Sequence, residues 1–100
     1  MAASDSATTG CAAMLKVLAD ETRLAVVEQL LTGPKHVGEI NERLQVEQSL
    51  LSHHLKVLRD AGMVEAQRDG KSVLYRLTPA VDGARRGKAL DLGCCLISFG

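Results

Sequence analysis

The sequence predicts a small, mainly α-helical domain carrying one β-hairpin, and three observations point that way. Its 100 residues are 46% hydrophobic but include only one Tyr, one Phe and no Trp, so any core must rest on Leu, Val, Ile and Ala. Apolar residues recur at helical spacings of three and four in four segments between residues 11 and 61. After Gly62 the period shortens, and two runs rich in β-formers flank Asp69-Gly70, a strong hairpin signal. A chain of this size builds one domain with a modest core.

The first ten residues, mostly Ser, Thr, Ala and Gly, carry no periodicity and read as a flexible lead-in. A first helix is expected over Cys11 to Leu18, with Met14, Leu15 and Leu18 on its apolar face. Asp20 then offers an N-cap to the segment ETRLAVVEQLL, which Gly33-Pro34 terminates. His36-Val37-Gly38 leads into a short third helix through Val37, Ile40 and Leu44. A fourth is expected from about Glu47 to Ala61, with Leu51, Leu55 and Leu58 as its buried stripe and Gly62 as its stop. Two short helices joined by a few residues form a helix-turn-helix, and a β-ribbon directly after it is a wing. The domain is therefore placed at 11–79, followed by a tail over 80–100 with irregular or only briefly helical structure and a Cys94-Cys95 pair.

Formal net charge is zero, but the halves differ. Residues 1–47 carry four basic and seven acidic side chains, whereas residues 48–100 carry eight basic, among them the Arg85-Arg86 pair, and five acidic. A polyanion would be met by the second half. No window approaches the roughly 18 apolar residues needed to span a bilayer, and the N-terminal stretch MAASDSATTGCAAM lacks a basic cluster ahead of an apolar run. A cytoplasmic protein with no membrane partner is expected.

With Leu51, Leu55 and Leu58 turned to the core, Ser49, Ser52, His53 and Lys56 fall on the opposite face of the fourth helix, beside Gln48 near its start. Hydroxyls, an amide and an imidazole suit phosphates and base edges in a major groove, while Arg68, Lys71 and Arg76 of the wing are placed for flanking phosphates. His53-His54 is no chelating pair, since neighbours on a helix point about 100° apart. His54 is expected at the helix flank, satisfied by backbone or solvent, and His36 as a cap or surface residue. No Gly-rich phosphate loop, acid pair or nucleophile with a base partner is present, so no enzyme and no organic cofactor are expected.

The stretches LKVLADETRLAVVEQLL, HVGEINERLQVEQSLLSHHLKVLRDAGMV and EAQRDGKSVLYRL closely resemble the ArsR/SmtB family of winged-helix repressors. The resemblance covers about residues 13–78, and SxxSHHLKxLxxAGxV with DGKxxxYxL is its most specific part. It implies a homodimer that binds double-stranded operator DNA and is released when a metal, metalloid or oxidant acts at Cys or His sites. Carried across position by position, the matching recognition residues are Gln48, Ser49, Ser52 and His53, with Arg68, Lys71 and Arg76 in the wing.

The chain departs from the family in two places. HVGEINERL lacks the cysteine pair that many members carry in or before the third helix, and the tail lacks the ligand spacing of a long metal-binding helix. That leaves Cys11, Cys94 and Cys95, which the family fold implies lie close together, within one chain or between chains. An odd cysteine count without regular spacing argues against a disulfide framework. Three thiolates suit As(III) or Sb(III) as inducer, in a trigonal set of sulfurs. Cd, Pb, Hg or Zn are alternatives on the same thiols, with Zn and Cd wanting a fourth ligand. A redox switch between Cys11 and one tail thiol is the main rival, Cys11 is alternatively a small core residue, and a winged-helix protein-interaction module is the other class of function.

Overall fold

The computed structural model describes residues 6–82 and 88–99, with side chains from residue 10 onward. The Arg85-Arg86 pair lies outside the described residues. Helix α1 (Ser6–Leu18) begins five residues before the expected start at Cys11. The lead-in holds no proline and is rich in Ala, Ser and Thr, which a helix tolerates once its other end is packed through Met14, Val17 and Leu18.

Helix α2 (Glu21–Leu30) starts where Asp20, in an extended conformation, accepts a hydrogen bond from the Arg23 backbone N–H at 3.0 Å. A two-residue strand β1 (Lys35–His36) follows, then α3 (Val37–Leu44). The turn between α3 and α4 (Gln48–Asp60) is built by Gln45 in the left-handed region at φ 52° and by Asn41, whose side chain brackets Val46 with two hydrogen bonds of 3.0 Å. Gly62, at φ 77°, closes α4: its N–H reaches the Arg59 carbonyl and the Met63 N–H reaches that of Leu58, which absorbs carbonyls left over at the helix end.

Strands β2 (Val64–Asp69) and β3 (Ser72–Leu77) pair antiparallel in the register Val64↔Leu77 to Asp69↔Ser72. The loop between them is therefore Gly70-Lys71, one residue later than the Asp69-Gly70 pair suggests. Gly70 has φ 64° and Lys71 does not have a positive φ, the pattern of a type II′ turn that matches strand twist. β1 adds to the far side of β3 through Lys35↔Tyr75 and His36↔Leu74, giving the order β1-β3-β2. The fold is a helix-turn-helix with a wing, as expected.

The segment expected to be an irregular tail instead forms a ribbon, β4 (Ala89–Asp91) against β5 (Leu96–Ser98), in the register Leu90↔Ile97. Its apolar residues explain the difference. Val81, Ala89, Leu90 and Leu92 are buried, and all but Ala89 join the same cluster as Val26, Ile40, Leu51, Leu55 and Leu58, while Ile97 and Phe99 pack against it. The Asp91 N–H donates to the Val81 carbonyl at 2.9 Å, tying the ribbon to the end of the wing segment.

Candidate functional site

Helix α4 separates two faces. Leu51, Leu55 and Leu58 are 0 to 1% exposed, whereas Gln48, Ser49, Ser52, His53 and Lys56 are all exposed. Ser49 donates to the Glu47 carboxylate, and Lys56 pairs with Asp60 at 2.8 Å, one turn on, which holds the Asp60 carboxyl below its ordinary value. In the wing, Arg68 and Lys71 are exposed, with Lys71 at the tip of the turn. Arg76 is exposed too, but it is engaged: its Nε donates to Glu65 at 3.0 Å and a terminal nitrogen to Gln67 at 2.9 Å, across the strand pair. It is the least available of the three wing cations.

His36 joins wing to helix. Its backbone N–H donates to Glu39 Oε1 at 2.8 Å, its Nδ1 lies 3.1 Å from the same oxygen, and its Nε2 lies 2.7 Å from Asp69 Oδ2. The hydrogen bond to Asp69, then that to Glu39, raises the His36 pKa above its ordinary value. Glu39 is lowered in turn, chiefly by the His36 backbone N–H. The expected capping role holds, with an added contact to the wing that the sequence did not suggest.

His54 departs from expectation. It is 7% exposed, buried in the core and not at the helix flank, and its Nδ1 lies 3.0 Å from a terminal nitrogen of Arg23. Residue 54 falls three after Leu51 and four before Leu58, so helical spacing already places it on the inner face.

The three cysteines come together. Cys11, on the first half of α1, and Cys94, in the turn between β4 and β5, form a disulfide with Cα atoms 6.2 Å apart. Cys95 is free and exposed, with its Sγ 4.0 Å from that of Cys94. All three sulfurs lie within 4.8 Å of one another, and among the described residues no fourth His, Cys, Asp or Glu joins the group. The turn is fixed by Leu92 N–H donating to the Cys95 carbonyl at 2.9 Å, and by Gly93, at φ 85°, donating to Asp91 Oδ1 at 2.8 Å. Reduced, this set offers three soft thiolates to a three-coordinate ion; it does not supply the four ligands of a closed zinc site. Oxidised, it pins α1 to the ribbon.

Among the described residues no helix is long and apolar enough to cross a membrane. Residues 20–66 match the family model described as a bacterial regulatory protein of the arsR family. The chain is 45% identical over 64 residues to the transcriptional repressor SmtB of Mycobacterium tuberculosis, a match covering 64% of this chain and 47% of that protein. It thus spans about half the length of the first curated relatives it matches. The structure of reduced HlyU from Vibrio cholerae superposes with a TM-score of 0.76 at 32% identity, covering 85% of this chain and 90% of that one; HlyU is named a transcriptional activator. A winged helix-turn-helix domain of Mycobacterium bovis, described as homodimeric and DNA-binding, matches at TM-score 0.63 and 30% identity over 69% of this chain and 64% of that one. An HTH with its wing, a match through both of its helices, and a relative covered over nine-tenths of its length at this identity lead to one conclusion: the chain belongs to the ArsR family of bacterial transcriptional regulators.

Proposed function

We propose that this chain is a cytoplasmic, homodimeric repressor that binds double-stranded operator DNA through α4 and the wing, and whose affinity is set by thiol chemistry at Cys11, Cys94 and Cys95. The observation that carries the reading is the cysteine cluster itself, which links α1 covalently to the β4–β5 turn. A disulfide there changes how two peripheral elements are held, and this is the kind of local change that biases a dimer between two conformations. The reduced state described for HlyU supports a thiol-redox reading on the same fold. Base-edge contacts fall to Gln48, Ser49, Ser52 and His53, phosphate contacts to Lys56, Arg68 and Lys71, with Arg76 contributing once it leaves Glu65.

A second ligand class has its own support. A two-cysteine switch needs no third sulfur, yet Cys95 sits 4.0 Å from Cys94. Three thiolates at this spacing favour As(III) or Sb(III) in a trigonal pyramid, ahead of Cd, Pb, Hg or Zn. Either way the coupling is reciprocal: whatever lowers operator affinity is itself bound or formed less favourably on DNA, by the same factor.

The test is fluorescence anisotropy with a duplex selected from a random pool, using the reduced protein titrated with diamide, peroxide, arsenite, antimonite, cadmium, zinc, mercury and lead in turn. Release by oxidant that is lost in Cys11→Ser supports the redox reading. Release by arsenite that is also lost in Cys95→Ser supports the trigonal site. No release by any agent refutes the sensor, and no preference for the selected duplex over random DNA favours a protein-interaction module instead.

A further inference from the structure

His54 is the one polar or charged side chain in the core among the described residues, and it sits beside His53 of the outward face, with ring centroids 5.5 Å apart. Its partner is Arg23, whose terminal nitrogen approaches Nδ1 to 3.0 Å. A guanidinium only donates, so in this contact Nδ1 is the acceptor. Asp20 Oδ1 lies 3.9 Å from the same Nδ1.

Arg23 has a second hold. Its Nε donates to the Val17 carbonyl at 2.6 Å, in the last turn of α1. One guanidinium therefore grips the end of α1 on one side and α4 on the other. Cys11 lies six residues upstream of Val17 on the same helix, about 9 Å along its axis. The packing of Met14, Val17 and Leu18 is apolar and tolerates small sliding, but the hydrogen bonds of Arg23 are directional and do not.

We propose that Arg23 and His54 are positioning residues that carry the state of the cysteine cluster to the recognition helix. When a thiol reductant exchanges into the Cys11–Cys94 bond, leaving two free thiols and its own disulfide, α1 is released from the β4–β5 turn; oxidation by a peroxide or disulfide, or an ion bridging the three thiolates, ties the two together again. The Val17 carbonyl shifts, Arg23 follows it, and His54 is drawn or freed. Ser52 and His53 on the outer face of α4 move with it. His54 itself touches no DNA. The inference rests on the reading of α4 as the DNA-contacting helix and of the cysteines as the sensor.

The experiment has two arms. In the first, long-range proton–nitrogen NMR follows the His54 ring nitrogens and Arg23 Nε–H in the diamide-oxidised protein, with the disulfide confirmed by mass, and after dithiothreitol. Both residues' signals are expected to shift on reduction, and Cys11→Ser, which leaves α1 without a thiol, is expected to show the reduced positions under both conditions. Unchanged signals overturn the relay whatever the DNA does. In the second arm, the ratio of operator affinities in the two states is measured. Wild type is expected to show a ratio of about 5 to 150; His54→Leu, which lacks the acceptor, is expected to fall within about twofold of unity, and His54→Gln, which keeps one, to retain most of the ratio. A wild-type ratio in His54→Leu overturns the proposal; if that variant does not fold, a wild-type ratio in His54→Gln with no shift of the Arg23 signal between the two states overturns it. Shifted His54 signals with a wild-type ratio of one leave the relay standing and refute the sensor reading instead.

Discussion

Opening the Cys11–Cys94 disulfide should lower stability by an amount that loop length fixes. The bond joins residues 83 apart in sequence. Loop-closure entropy for a span of that size is worth about 4.5 kcal/mol at 25 °C, and native disulfides usually deliver about 2–4 kcal/mol of such a figure because the unfolded chain is not a free coil. For a domain of this size, each kcal/mol moves Tm by roughly 4–8 °C, so oxidised protein is expected to melt about 8–32 °C above reduced protein. Circular dichroism melts with diamide and with dithiothreitol, at equal protein concentration because dimers melt in a concentration-dependent way, provide the comparison. Cys95→Ser should reproduce the wild-type pair of values, while Cys11→Ser, which leaves α1 without a thiol, should melt like the reduced protein under both conditions. If oxidised protein, shown by peptide mass to hold Cys11–Cys94, melts within about 3 °C of reduced protein, the loop-closure argument fails for this fold.

Asp20→Ala, which removes the N-cap of α2, should cost about 1 kcal/mol in denaturant titration. Asp20 is held below the ordinary carboxylate pKa, first by the Arg23 backbone N–H, so its contribution is fully present above the unfolded value near 4 and is lost as pH falls through the folded one; the variant's stability should vary less with pH on the acid side. His36 behaves oppositely. Its pKa is raised by Asp69, then Glu39, so the link from α3 to the wing is complete below the unfolded value near 6.5 and is lost as pH rises through the folded one; NMR titration should find His36 titrating above the ordinary histidine range and Asp69→Asn should bring it down. Lys71→Ala, at the exposed tip of the wing, should weaken operator binding similarly for all sequences and reduce the salt slope by about 1, with no reduction if Lys71 meets no phosphate.

How much of this was legible in the residues depended on range. Asp20, Gly62 and the Leu51-Leu55-Leu58 stripe are local signals, and the structure places each as its chemistry dictates. The hairpin was legible but its turn slipped by one residue, because Asp69-Gly70 and Gly70-Lys71 both suit a two-residue loop and only the register Asp69↔Ser72 decides. β1 is two residues long and exists only because β3, some forty positions later, offers an edge. The β4 and β5 strands are three residues each, too short to alternate, and are held by Val81 and the core. His54 carried a usable signal in its spacing from Leu51 and Leu58, but its partner Arg23 lies 31 positions away and nothing local announces it.

The ribbon also suits the place of the proposed sensor. A two-stranded sheet of three-residue strands has little stability of its own; here it depends on burial of Leu90 and Leu92, on the Asp91–Val81 hydrogen bond and on a covalent bond to α1. Two of the exposed large hydrophobics, Leu15 and Leu96, lie on α1 and at the start of β5, directly after the turn that the bond ties to α1. Breaking it therefore frees the part of the molecule with the least to hold it, and elements of low local stability are the ones that move when a protein switches. Among the described residues, Arg23 is the side chain that hydrogen-bonds both α1 and α4. On the proposed reading, a thiol reaction at the periphery reaches the outer face of α4 through that guanidinium and through the apolar cluster that Leu90 and Leu92 share with Leu51, Leu55 and Leu58.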